Sequence, residues 1–133
     1  MSVLVDTNVC IRFLNGRSES VRDRFRATPP GQICLCSVVV GELLFGAAKS
    51  QHPDRTLAKQ LRFVSRFVSF PFDDMAARSY AQIRAELERA GGMIGANDLL
   101  IAAIAVSGGV TLVTNNVREF GRVKGLILEN WEN

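Results

Sequence analysis

Short apolar runs alternate along the chain with longer stretches of helical periodicity, and that alternation sets the expected architecture. Val3-Leu4-Val5, Ile33-Cys34-Leu35-Cys36, Val110 to Val113 and Leu126 to Leu128 have the length and apolar character of buried strands, with a weaker candidate at Val68 to Phe70. Between them, apolar positions recur at helical spacing over Asn8 to Leu14, Glu19 to Ala27, Val38 to Lys49, Thr56 to Phe67, Asp73 to Arg89 and Asp98 to Val106. Strands separated by helices pair in parallel, so the pattern predicts an α/β fold: a three-layer α/β/α sandwich on a mainly parallel, roughly five-stranded sheet. Pro29-Pro30-Gly31 divides the second helix from the second strand, and Gly91-Gly92 and Gly108-Gly109 end the helices before them. Phe63 and Phe67 fall on one helical face, the spacing of core packing rather than of a base-stacking platform.

A chain of 133 residues that is 47% hydrophobic has material for one good core, and the expectation is a single domain over residues 1–133. Its longest fully apolar run, Leu99 to Val106, is far short of the roughly 20 residues that a membrane-spanning helix needs. Met1 to Val5 run straight into an acidic motif, which leaves no room there for a signal peptide. Three cysteines, Cys10, Cys34 and Cys36, make an odd count, and the latter two lie two apart on one strand, poorly placed to bridge each other. A reducing, cytoplasmic location is the expectation. With no CxxC pair and His52 the one histidine, a structural zinc site and a histidine-activated nucleophile are both disfavoured. Carboxylates must carry the chemistry.

Asp6 follows the first strand directly and opens a helix, at the carboxyl end of the sheet where parallel α/β folds bind ligands. Helix capping alone would also explain an aspartate there. Glu42 interrupts Val38-Val39-Val40-Gly41 and Leu43-Leu44-Phe45, a segment apolar on nearly every side, where a buried charge needs a cation, a metal or a shifted pKa. A partner arginine is the alternative, and none lies within a helical turn. Asp98 begins the most apolar helix of the chain, whose start must abut the core, and either Asn97 or Asp98 could cap it. Three such acids can converge on one end of a parallel sheet. A hard divalent cation would relieve their repulsion, and magnesium favours a few carboxylates plus waters. Such a site can polarise a phosphodiester without any histidine. The charge balance agrees: there are 16 Lys and Arg against 13 Asp and Glu, so gathering Asp6, Glu42, Asp98 and Glu119 into one pocket leaves nine acids and an excess of seven bases elsewhere. An acidic hole in a basic surface suits a polyanion brought to a metal.

Four ordered motifs now carry a family resemblance: Val-Asp6-Thr7-Asn8 at the start, Val-Gly-Glu42-Leu43 after the second strand, Gly95-Ala-Asn97-Asp98-Leu99-Leu100, and Leu112-Val-Thr114-Asn115-Asn116-Val-Arg-Glu119-Phe120. Over nearly its full length the chain resembles PIN-domain nucleases, specifically the VapC toxins of bacterial toxin–antitoxin pairs. The closing stretch from Val123 to Trp131 is similar to the end of VapC toxins that cleave initiator tRNA in its anticodon loop. The resemblance implies that Asp6, Glu42 and Asp98 are catalytic, hold magnesium or manganese and activate water, with Thr7, Asn8 and Thr114 as polar supports. Many PIN domains have a fourth acid where this chain has Asn116, a neutral and weaker ligand. Glu119 lies three residues on, on the same face if the segment is helical, and would supply the missing charge directly or through water. A single tightly held ion is the expectation. The resemblance also implies an RNA substrate, a homodimer, and a small VapB-like antitoxin that pushes a basic side chain into the acidic site. Leu43, Leu44 and Phe45 could feed a groove for a partner helix, although core packing is the simpler fate of each.

Two other enzyme classes fail on single residues. A haloacid-dehalogenase-like phosphatase needs a second aspartate two residues after the first, where this chain has Asn8. A phosphoacceptor receiver domain needs an acidic pair at the first strand and a lysine on a late strand. The rival outside enzymology is a PIN-like module that binds RNA or protein without cutting, with Asn116 as a sign of decay; three acids in buried-looking surroundings would be costly for it to retain.

Overall fold

The computed structural model describes residues 2–132. In chain order the elements are β1 (Val3–Val5), α1 (Thr7–Asn15), α2 (Glu19–Ala27), a 3-10 turn (Pro30–Gln32), β2 (Ile33–Cys36), α3 (Ser37–Ala48), α4 (Pro53–Val64), β3 (Val68–Phe70), α5 (Asp74–Ala90), α6 (Ala96–Gly108), β4 (Thr111–Val113), α7 (Val117–Phe120) and β5 (Leu128–Glu129). The five strands form one sheet in the order β3-β2-β1-β4-β5. Every pairing is parallel, with Val3 opposite both Ile33 and Thr111, Cys34 opposite Val68, and Leu112 opposite Leu128. Consecutive residues of β1, β2 and β4 are all buried, which requires cover on both faces of the sheet and accounts for their unbroken apolar sequence.

The topology determines where a site can form. The chain lays β2 and β3 on one side of β1 and then crosses to lay β4 and β5 on the other, so the strand order reverses between β1 and β4. At such a switch point the loops leaving the carboxyl ends diverge and open a crevice. Asp6 leaves β1 there and Thr114 leaves β4. The Asp6 N–H still bonds the Val113 carbonyl at 2.9 Å, so the ladder continues to the edge of the crevice.

Phe13, Phe25, Phe63, Phe67 and Trp131 form one aromatic group. Phe13 and Phe25 have ring centroids 4.3 Å apart, Phe63 meets Phe67 edge-on at 5.1 Å, and Trp131 meets Phe25 edge-on at 5.1 Å. Phe63 and Phe67 thus pack in the core as their spacing suggested. All three cysteines are free and buried, and burial pushes the Cys34 and Cys36 thiols up to about 11. Among the described residues no helix is long and apolar enough to cross a membrane.

Several element boundaries differ from the sequence expectation, each for a local reason. α4 starts at Pro53, three residues before the expected Thr56, because proline suits the first helical turn; it ends at Val64, leaving Phe67 in the turn before β3. α6 starts at Ala96 with Gly95 in the cap position, so Asp98 sits in the first turn and neither Asn97 nor Asp98 is the cap. β4 loses Val110, whose N–H closes on the Ala105 carbonyl after Gly109 adopts φ 64° to end α6. The last strand slips from Leu126–Leu128 to Leu128–Glu129. α3 departs most from expectation. Only Val39, Leu43 and Ala47, a stripe spaced four apart, are fully buried, and Phe45 is 65% exposed.

Candidate active site

Asp6 is the N-cap of α1, and its two oxygens are used differently. Oδ1 accepts the Thr7 N–H at 2.8 Å, and Oδ2 accepts the hydroxyl of the fully buried Thr114 at 2.8 Å. Thr114 in turn accepts the Asn116 N–H at 3.0 Å, which ties the β4–α7 loop to the carboxylate. Burial raises the Asp6 pKa; the Thr114 and Thr7 hydrogen bonds oppose that rise and the Glu42 charge adds to it. Asp6 therefore caps α1 and at the same time lies in the field of the Glu42 carboxylate.

Glu42 projects from α3 half-buried, not sealed in the core as the apolar run around it suggested. Its Oε1 accepts the Thr7 hydroxyl at 2.5 Å and its Oε2 accepts the Asn97 side-chain amide at 3.3 Å. The ion pairs among the described residues join Arg12 to Glu132, Arg22 to Glu19, Arg24 to Glu129 and Arg84 to Glu88. None of the four site acids belongs to them, so no arginine partner explains Glu42.

Asp98 occupies the first turn of α6, and its carboxyl is pushed up to about 6, first by burial and then by the charges of Asp6, Glu119 and Glu42. Glu119, on α7, behaves in the opposite sense. The Asn116 side-chain amide and the Gly95 N–H each donate to it at 2.9 Å and hold it below the usual carboxylate range, with the Arg122 charge adding to the effect. Gly95 lies between the two acids: a Cβ there would be 3.5 Å from Asp98 Oδ2 and 4.0 Å from Glu119 Oε1. The Gly95 backbone thus sits between the two carboxylates, with its N–H turned to Glu119. Asn116 spends its side chain locally, since its Oδ1 caps α7 by accepting the Glu119 N–H at 3.5 Å.

Acids from four separated segments therefore share one electrostatic field at the switch point. Among the described residues no three Asp, Glu, His or Cys side chains stand close enough together, as placed, to hold one metal ion between them. The donors are all hard oxygens, and burial first, with neighbouring negative charge adding to it, raises both Asp6 and Asp98. That set fits an oxygen-seeking cation held by a few carboxylates and completed by water.

Two depressions flank the carboxylates. An apolar groove of about 610 Å³ runs along α3 past Ile11, Val38, Phe45 and Leu100, with Glu42 at one end and Lys49 lying 5.0 Å over the Phe45 ring. A polar pocket of about 350 Å³ lies on the other side of Ile11. Asn8 lines this second pocket.

The PIN domain family matches residues 3–126. The tRNA(fMet)-specific endonuclease VapC of Shigella flexneri is 46% identical to the chain, over 98% of each. The chain belongs to the VapC ribonucleases of the PIN-domain family. This VapC fold is similar to that of DNA-bound VapBC from Salmonella typhimurium, with a TM-score of 0.92, 40% identity and 98% of each chain covered. VapBC2 from Rickettsia felis, bound to a promoter DNA fragment, gives a TM-score of 0.89 at 37% identity, covering 98% of this chain and 99% of its own.

In this VapC chain the structure brings together Asp6, Glu42, Asp98 and Glu119, and it gives Thr7 and Thr114 hydrogen bonds to the acids. Asn8 stands apart: it is exposed, faces the polar pocket, and takes no part in the bonds that hold the carboxylates. Asn116 uses its amide nitrogen and its amide oxygen in hydrogen bonds with Glu119. Three contributors went unassigned in the sequence: Asn97 on Glu42, the Gly95 N–H on Glu119, and Arg122, whose guanidinium donates to the Met93 carbonyl at 3.0 Å beside the site. The Gly-Ala-Asn-Asp quartet carried a signal for the first two. Nothing in the local pattern marked Arg122.

Proposed function

We propose that this VapC protein is a magnesium-dependent endoribonuclease, with manganese able to substitute, that cuts tRNA and so stops translation. The observation that carries the reading is the gathering of Asp6, Glu42 and Glu119 around Asp98, whose carboxyl feels the charge of all three, with no ion-pair partner for any of them among the described residues. Asp6, Asp98 and Glu42 would hold the ion, with Glu119 contributing directly or through water. When bound, such an ion supplies Lewis acidity toward a phosphodiester oxygen and toward water.

The chain's own residues supply the rest. Thr114 and the Thr7 N–H fix both oxygens of Asp6, and each oxygen keeps a further lone pair free to accept. Thr7 and Asn97 orient Glu42, and Asn116 with Gly95 orients Glu119. Preorganisation of this kind spares the acids a reorganisation when the phosphate arrives. Support for initiator tRNA as substrate, cut in the anticodon loop, comes from the tRNA(fMet)-specific name of the Shigella flexneri relative and from the similar C-terminal stretch. Support for a VapB-like antitoxin comes from the VapBC assemblies among the structural relatives, and the groove along α3 offers an apolar bed for its helix beside Glu42. A homodimer, with antitoxin in a heterotetramer or larger assembly, completes the reading.

The test is incubation of purified, antitoxin-free protein with total tRNA in magnesium, in manganese and in chelator, alongside Asp98→Asn. Discrete fragments that need the metal and vanish in the variant are expected. No cleavage by well-folded protein would overturn the nuclease reading in favour of a module that binds RNA without cutting it.

A further inference from the structure

The polar pocket beside the carboxylates is lined by Asn8, Ile11, Arg12, Asn15, Arg17 and Asn115. Asn8, Ile11, Arg12 and Asn15 are spaced three and four apart, so they form one stripe on α1, while Val9 and Cys10 bury the opposite side. The stripe begins two residues after Asp6 and rises about 10 Å along the helix. Asn115 follows Thr114, the residue that holds Asp6, so both Asn8 and Asn115 tie the pocket to the neighbourhood of that carboxylate. The bonds that fix the acids run through Thr7, Thr114, Asn97, Asn116 and Gly95, and leave Asn8 and Asn115 out. Arg12 pairs with Glu132 at 2.7 Å yet stays 48% exposed, and Arg17 has no ion pair among the described residues.

A cluster of acids repels the strand it must cut, and cations one step away offset that repulsion. Guanidinium groups engage phosphate in a planar fork. Asparagine amides offer a donor and an acceptor together, the pairing that a base edge or a ribose hydroxyl asks for. Ile11 walls off this polar lining from the apolar groove on its other side, which suits a protein helix instead.

We propose that this pocket is the subsite for the nucleotide flanking the scissile phosphate. Arg17 and Arg12 meet its phosphate, and Asn8, Asn15 and Asn115 meet its base or sugar. The assignment rests on the nuclease reading of the adjoining acids, and the experiment separates the two. In full-length protein carrying Asp6→Asn to silence cleavage, binding of fluorescently labelled bulk tRNA is measured in magnesium over a range of salt. Adding Arg17→Ala is expected to raise Kd about tenfold and to make the slope of log Kd against log salt shallower by about one. Adding Asn15→Ala is expected to raise Kd several-fold with the slope unchanged. Arg66→Ala is the control: Arg66 precedes β3, at the opposite end of the edge strand farthest from β5, and its loss should leave binding unaltered.

Parent-like binding by both pocket variants would overturn the proposal, and so would equal losses from Arg17→Ala and Arg66→Ala. Intact RNA binding with a weakened grip on the purified antitoxin would assign the pocket to the partner protein and overturn it as well. Cleavage by the unmodified chain without any shift in the variants sinks the subsite alone. Shifts in the variants without cleavage by the unmodified chain sink the nuclease reading alone.

Discussion

Asp98 and Glu119 face each other across Gly95, yet their surroundings drive them in opposite directions. Asp98 is pushed up to about 6 by burial and by neighbouring negative charge, whereas Glu119, at the rim, is held low by the Asn116 amide and the Gly95 N–H. The difference separates two kinds of site acid. Glu119 is already satisfied by the protein. Asp98 carries the unrelieved repulsion of the cluster, so a bound cation has most to gain there. Asp6 falls between the two, buried like Asp98 and hydrogen-bonded like Glu119.

Breaking the Asp98 side of this comparison should have the largest effect. Asp98→Asn and Asp6→Asn are each expected to lower the tRNA cleavage rate by more than about 100-fold, above the range for losing an outer-shell partner. For Asp6→Asn, circular dichroism and antitoxin capture should remain as in the parent. Thr114→Val keeps every carboxylate and removes a donor to Asp6. Its expected cost is about 10- to 100-fold in metal affinity or turnover, read by titrating magnesium against cleavage.

Glu119→Gln should cost less than Glu42→Gln, a few-fold against a larger loss, because the first reaches the centre from the rim. The pair is compared at limiting magnesium, where a silent Glu119→Gln would remove that residue from the site.

The smallest expected effect is on stability and needs no activity. A folded-state Asp98 pKa of about 6, above the ordinary 3.8, means that the folded protein binds more protons than the unfolded chain between those values. Asp98 therefore makes metal-free protein less stable as pH rises from about 4 to about 6, and the loss persists above that. Asp98→Asn removes this contribution, so thermal melts in chelator should put the variant above the parent at pH 7, with the gap narrowing toward pH 4. Glu119 works the other way: its lowered pKa stabilises the fold above the ordinary carboxylate range, and that contribution fades on acidification. Magnesium at pH 7 should raise the parent's melting temperature more than that of Asp98→Asn.

The α/β alternation and the buried parallel strands were legible in the linear pattern, and Asp6, Glu42 and Asp98, which the fold gathers into one field, stood out in it as acids among apolar residues. Apolar runs between turn residues announce strands covered on both faces, and an acid that interrupts such a pattern stands out wherever it ends up. The pattern was misleading for α3. Its run reads as apolar on every side, like α6, but α6 buries Leu99 and every residue from Ile101 to Ala105, while α3 buries one stripe and leaves Phe45 and a groove exposed. Hydrophobicity records what a residue tolerates, and which neighbours cover it is decided by packing.

By itself, then, the order of residues determined which segments become strands and helices and which acids are available, because both depend on local periodicity and on side-chain chemistry. Tertiary structure decided the rest. It carried Thr114 across 108 positions to Asp6, brought Gly95 and Asn97 from the start of α6 to Glu119 and Glu42, and turned Asn8 toward a pocket of arginines. Those juxtapositions arise where β1 and β4 pair and the chain reverses its direction across the sheet. Contacts between residues so far apart in the chain depend on that pairing, which no local pattern encodes.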